Sequence, residues 1–442
     1  MPVRPRRPRR VLAAVVLAAG VAVLAATLSG VWSGPSAEQA PPIPAAAPKL
    51  ADSLTHSITV AQDKLRRTPQ DPLTWAQLGS AYVEQSRITA DPAYYPKAQG
   101  ALEKSLQQQP EGNGPALIGM GALANARHDF AAAKGWAERA RAVLPDTAEV
   151  YGVLADAQTQ LGDAGAATDA VQQMLDRKPG VSAFTRASYD FELHGRVDEA
   201  KQALERAVGD ATGPSDVAFC RYYLGELAFN SGKLDEAAAE YDNGLAADPQ
   251  NVSLLQGKAK IAAARGKLAD AITGYQEIVT RVPLPQYLQE YAELLLVAGR
   301  QAEAQQQFAV LDGQQRLFAA AGVTDDLTAS AIAADRGDKA GALSHAQAEW
   351  GRRQNVLVAD ALAWALHLNG RDAEALTYAD RAAALGWHNA GFAYHRGVIL
   401  AGLGRKAEAV TSLTGALQTN PYFSPLHTPE AQRALDELKA AR

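Results

Sequence analysis

Cysteine is all but missing from this 442-residue chain, and the single copy, Cys220, has no partner for an internal disulfide. One thiol near the start of a helix reads as a packed small residue rather than a nucleophile, and it suits an exported protein that needs no cross-link. Catalytic and nucleotide-binding motifs are absent too: the chain has no Walker A loop, H-E-x-x-H, C-x-x-C or G-x-S-x-G, and no G-x-G-x-x-G after a strand. No enzyme and no cofactor are expected. Positive charge is scarce outside the N-terminus. The 43 basic residues, five of them in the first ten positions, face 48 acidic ones. The rest of the chain therefore carries a net charge of about −10, which argues against nucleic acid or anionic lipid as its partner.

Histidine is concentrated late in the chain. His367, His388 and His395 lie in one stretch between His345 and His427. None of these pairs has the i, i+4 spacing beside a carboxylate that a metal-binding helix uses. His388 falls in a turn and His395 in the next helix, so their side chains are not expected to converge, and no metal site is expected.

What the sequence does contain is a period. Gly162, Gly195, Gly232, Gly266, Gly299, Gly337, Gly370 and Gly404 recur at steps close to 34 residues. Five residues after each glycine stands an alanine. The alanine ladder is longer, running Ala98, Ala133, Ala167, Ala200, Ala237, Ala271, Ala304, Ala342, Ala375 and Ala409. A unit of this length is a helix-turn-helix that must stack on copies of itself to bury its apolar face. The glycine supplies the left-handed residue that ends the first helix, and the alanine lets the second helix approach closely. Pro110, Pro145, Pro179, Pro249, Pro283 and Pro421 follow about a dozen residues later and separate the units.

With Trp75, Leu78, Gly79, Tyr82, Ala98, Leu102 and Pro110 in the first unit, the chain resembles the tetratricopeptide repeat (TPR) proteins from about Pro72 to Pro421. The resemblance implies an all-α, right-handed α-solenoid of about ten units whose first helices line a concave groove. Such a scaffold binds a protein or peptide partner. At the family's ligand-facing positions stand Asp156, Tyr189, Glu192, Tyr222, Glu226 and Asn230, then Lys260, Glu293, Asp360, Trp364, His367 and Tyr394, with Asn125, Gln160, Gln256, Gln289 and Asp335 among them. Acids outnumber bases there, so a basic extended segment is the expected ligand. The alternative is an accessory module of an envelope glycan-processing complex, gripping sugar through Trp364, Tyr394, Tyr222 and Tyr189.

The N-terminus points to export. Five arginines in "MPVRPRRPRR" precede the uncharged run Val11 to Leu28, whose eighteen residues would rise about 27 Å as a helix. Residues 1–32 are thus a signal peptide or a transmembrane anchor, both open, with the body facing the extracytoplasmic side or secreted. Residues 33–50 form a Pro/Ala-rich linker, 51–427 the solenoid and 428–442 a closing helix capped by Thr428. Two departures interrupt the period. Seven extra residues around 83–97 imply an enlarged loop in the first unit, and the stretch from Leu311 to Asp326 implies a lengthened helix.

Overall fold

The structure, a computed structural model, describes residues 49–440, so the expected export segment and nearly all of the linker lie outside it. Among the described residues there are 22 helices and no strand. A leading helix, Lys49–Arg67, packs Leu54, Ile58 and Leu65 against Leu78 and Tyr82 of the first pair. Ten antiparallel helix pairs follow, over 72–108, 114–143, 148–177, 181–210, 214–247, 252–281, 285–320, 326–352, 356–382 and 390–419. The last helix is His427–Ala440. The solenoid expected from the period is what forms.

Each pair follows from its two marker residues. All ten ladder alanines are at most 2% exposed, because a larger side chain would hold the paired helices apart. All eight ladder glycines are left-handed, with φ between 71° and 87°. In the second unit that position is filled by His128, whose φ of 62° is a strained conformation for a residue with a Cβ.

The superhelix comes round once and meets itself edge to edge. The turn inside an early unit packs against the turn between two late ones, rung after rung. Thr324 donates its backbone N–H to the Arg127 carbonyl at 3.3 Å, and Gln354 donates to the Leu161 carbonyl at 3.4 Å. Gly195 and Gly386 touch through backbone, and Gly232 lies against Thr419 and Pro421. At Gly162 and Gly195 a Cβ would stand 2.5 Å from a backbone oxygen of the opposite turn, so glycine is needed there for proximity as well as for φ. This seam runs beside the inner face of the first helices.

The lengthened helix starts the seam. Gln301–Ala320 runs 20 residues, as expected from its sequence, and its added turns bury Phe318 in one cluster with Tyr95 and Leu123 of the first two units. Two expectations are corrected. The first unit has no enlarged loop: its extra residues extend the helix Pro72–Thr89, and a short turn, with Ala90 left-handed at φ 56°, leads into Tyr94–Gln108. Helix formation satisfies backbone groups that a loop would leave to water. The closing helix is not capped by Thr428. Ser424 Oγ accepts the N–H groups of Leu426 and His427, each at 3.1 Å, so the helix starts one residue earlier.

Candidate functional site

First helices present polar residues inward one unit apart, and these pair across units. Arg186 forks onto Asp156 with contacts of 2.8 and 2.7 Å. Lys260 reaches Glu226 at 2.7 Å, and Tyr241 donates its hydroxyl to the same carboxylate at 2.6 Å. Gln256 and Tyr275 do the same for Glu290, at 2.7 and 2.8 Å. Gln289 donates to Asp335 at 2.7 Å, and His395 lies 2.9 Å from the buried Asp360. The excess of acid expected on the inner face is therefore smaller in fact. Arg186 and His395 were missed because neither stands at a ligand-facing position of its unit. Each does lie about one unit after the acid it meets, which is the spacing that could have found it.

Several inner acids have no lysine or arginine partner among the described residues: Glu290 is held by Gln256 and Tyr275, Asp360 by His395, and Glu192, Glu293 and Asp335 stand beside amides or other acids. Burial pushes the Glu192 carboxyl up to about 7, against hydrogen bonds from Trp387 and Asn230 and with Glu226 adding repulsion. Burial also raises Glu293 well above the ordinary range, and Asp335 and Glu290 reinforce it. Asp335 is raised by burial, against its bond from Gln289 and the attraction of His427 and His395. Trp387 meets Tyr189, three residues before Glu192 on the same helix, at 6.5 Å, and Ser424 Oγ lies 3.5 Å from Glu293.

The aromatic residues are engaged with one another. Tyr189 meets Trp387 edge to face at 6.5 Å, and Tyr222 contacts the rings of Tyr223 and Tyr241 at 5.3 and 6.4 Å. Trp364 stacks with His395 at 4.3 Å and with His367 at 5.1 Å, and His427 meets it edge-on at 6.1 Å. Three late histidines, His367, His395 and His427, gather around Trp364, because successive first helices run side by side and stack residues one unit apart. His388 is not among them. No group of three His, Cys, Asp or Glu among the described residues is arranged to hold a metal ion. Tyr394 is also corrected: it is 3% exposed, lies under Phe423 and His427, and donates to Glu430 at 3.0 Å. Asn230 ends its helix exposed. A sugar ring would have to displace these internal partners to stack.

No helix among the described residues is long and apolar enough to cross a membrane, and the run Val11 to Leu28 lies outside them.

Residues 190–252 match the family model described as Tetratricopeptide repeat. The same helix pair, with its left-handed turn and buried alanine, recurs on both sides of that segment, so the unit matched there is repeated along the described residues. A comparison with curated proteins finds no match. Among solved structures, the chain is similar to a tetratricopeptide repeat protein from Parabacteroides merdae, at 18% identity over 59% of this chain and 98% of that one, with a TM-score of 0.35. It is similar to a thermophilic TPR protein of Thermus thermophilus, at 21% identity over 42% and 95%, TM-score 0.36. A human IFIT1 dimer with PPP-AAAA is similar at 15% identity over 83% and 86%, TM-score 0.46.

Proposed function

We propose that the chain is a non-enzymatic scaffold that holds an extended, cation-bearing segment of a partner protein against the inner face of its solenoid, outside the cytoplasm. The observation that carries this reading is the set Glu192, Glu293 and Asp335, inward carboxylates with no lysine or arginine of their own. A lysine or arginine side chain entering beside any of them would offset the repulsion from its acidic neighbours, Glu226 for Glu192 and Glu290 and Asp335 for Glu293, and replace lost solvation. The extracytoplasmic part draws on the arginine-rich start and the uncharged run after it.

The test uses a labelled extended peptide in which lysine alternates with apolar residues, beside a counterpart with glutamate in place of lysine. Fluorescence anisotropy should show binding of the first alone, weakening as salt rises. Glu192→Gln with Glu293→Gln should weaken it several-fold. Asp169→Asn with Asp270→Asn, exposed on second helices, should leave it unchanged. Equal binding of both peptides, or equal loss in both variants, would reject the reading.

A further inference from the structure

We propose that the seam holds a binding site for a small carboxylate with a compact apolar body, and that this ligand clamps the two turns together. On either side of the site the turns are pressed to backbone contact. At one rung Gln354 bonds Leu161 and crowds Gly162, and at the next Gly386 lies against the His194 carbonyl and crowds Gly195. Between these two closed rungs the chain leaves a cavity of about 250 Å³, bordered by Gly162 and Gln354 at one end and by His194 and Leu385 at the other. The early turn supplies Tyr189 and Leu193 to its wall, and the late turn supplies Trp350, Leu357 and Arg381. Opening the seam takes half of the wall away, so a guest held by both halves favours the closed form.

The wall determines the class of ligand. Its aromatic and aliphatic side chains suit an apolar guest better than water, which needs several polar partners. An apolar cavity of about 150 Å³ takes a benzene, so this one has room for about ten non-hydrogen atoms. The Arg381 guanidinium stands over the rings of Trp350 at 5.4 Å and Tyr378 at 5.6 Å, and no carboxylate among the described residues pairs with it. Stacking on the rings orients the guanidinium plane and leaves its N–H donors for a planar anion, which is the shape of a carboxylate. Arg381 is exposed, so the carboxylate stays at the solvent edge while the apolar body enters beside Trp350. Asp190 and His194, also in the wall, are already engaged: Asp190 accepts from Thr168 Oγ1 at 2.8 Å, and His194 Nδ1 lies 2.7 Å from the Asp190 carbonyl. No lysine or second arginine among the described residues lines the cavity, and another anionic group would meet Asp190 instead, so the ligand carries one carboxylate.

Phenylacetate, which has the expected size and charge, is the probe, and the neutral phenylacetamide is its control. Titration of the full chain should show a single site for phenylacetate, with phenylacetamide weaker by about tenfold or more. Arg381→Gln, an exposed change that leaves the fold intact, should weaken phenylacetate by a similar factor. Hydrogen exchange at Gln354 shows where the probe sits, because that residue lines the cavity and its N–H is bonded across the seam to Leu161. With phenylacetate at ten times its Kd, seam opening that releases the probe should become about tenfold rarer and exchange should slow by that factor. At the same concentration Arg381→Gln should lose most of the slowing. No detectable binding of phenylacetate at millimolar concentration, equal binding of phenylacetamide, full affinity in Arg381→Gln, or binding without slower exchange at Gln354 would each overturn the proposal. No peptide is present in this experiment, so its failure leaves the proposed partner segment untouched, and the peptide result leaves the cavity untouched.

Discussion

Asn355 donates its side-chain amide to the backbone carbonyl of Gln160 at 2.8 Å, a hydrogen bond that spans 195 residues of chain. The same side chain caps its own helix, with its oxygen accepting from Val358 N at 3.0 Å. One residue thus starts a first helix of the ninth unit and fastens that unit to the third.

Replacing Asn355 with alanine removes both roles and leaves the Gln160 carbonyl without this donor. A loss of about 1–3 kcal/mol is expected, the sum of a lost cap and a buried unsatisfied acceptor. Urea denaturation measures it. A change within error would mean that water replaces the amide at the rung.

Gly162 and Gly266 share the left-handed turn, but a Cβ at Gly266 meets open space whereas one at Gly162 meets the Gln354 carbonyl. Gly266→Ala should cost about 1–2 kcal/mol from backbone strain alone. Gly162→Ala should cost more and should expose Gln354 to exchange. Equal losses at the two sites would show that the turns do not press together in solution.

His128 is the histidine where the ladder calls for glycine. His128→Gly should relieve about 1 kcal/mol of left-handed strain and lose a ring contact with Phe130, at 5.5 Å, of similar size, so stability at pH 8 should change little. The acid side should change more. A histidine held neutral by burial contributes stability that is intact above its ordinary value of 6.5 and lost as pH falls towards its lower folded value. Denaturation at pH 8 and pH 5.5 should therefore show a smaller drop in the variant than in the parent.

Export is tested by fusion. A reporter active only outside the cytoplasm, joined after Lys49 in place of the solenoid, should be active, and a cytoplasmic reporter at the same point should be silent. The reverse pattern would remove the extracytoplasmic part of the proposal.

Local geometry was legible in the sequence wherever one residue had one steric reason to be there. Ala237 sits at the helix crossing with no exposure, and Gly232 has the left-handed φ that its spacing demanded. The inner face was legible only in part. Position alone marked Glu226 and Lys260 as inward but could not show that they meet, or that Arg186 neutralises Asp156. Tyr394 was misread because residues after Pro421 fold over it, and a repeat pattern describes a unit by its neighbours rather than by what closes the array. The seam left no periodic trace. It depends on the small rotation between units summed over half the chain, and on the extra helical turns that carry Phe318 back to the start.

The span of the Asn355 to Gln160 bond also sets an order in time. At a ribosomal pace of about 5–20 residues per second, Gln160 waits about 10–40 s after it is made before Asn355 exists to meet it. During that interval the early turn has its pairs but not its seam, and its inner acids are open to solvent. A chain in this state lacks the last units as well as the seam, and it presents the inner face of the early turn to whatever segment is nearby.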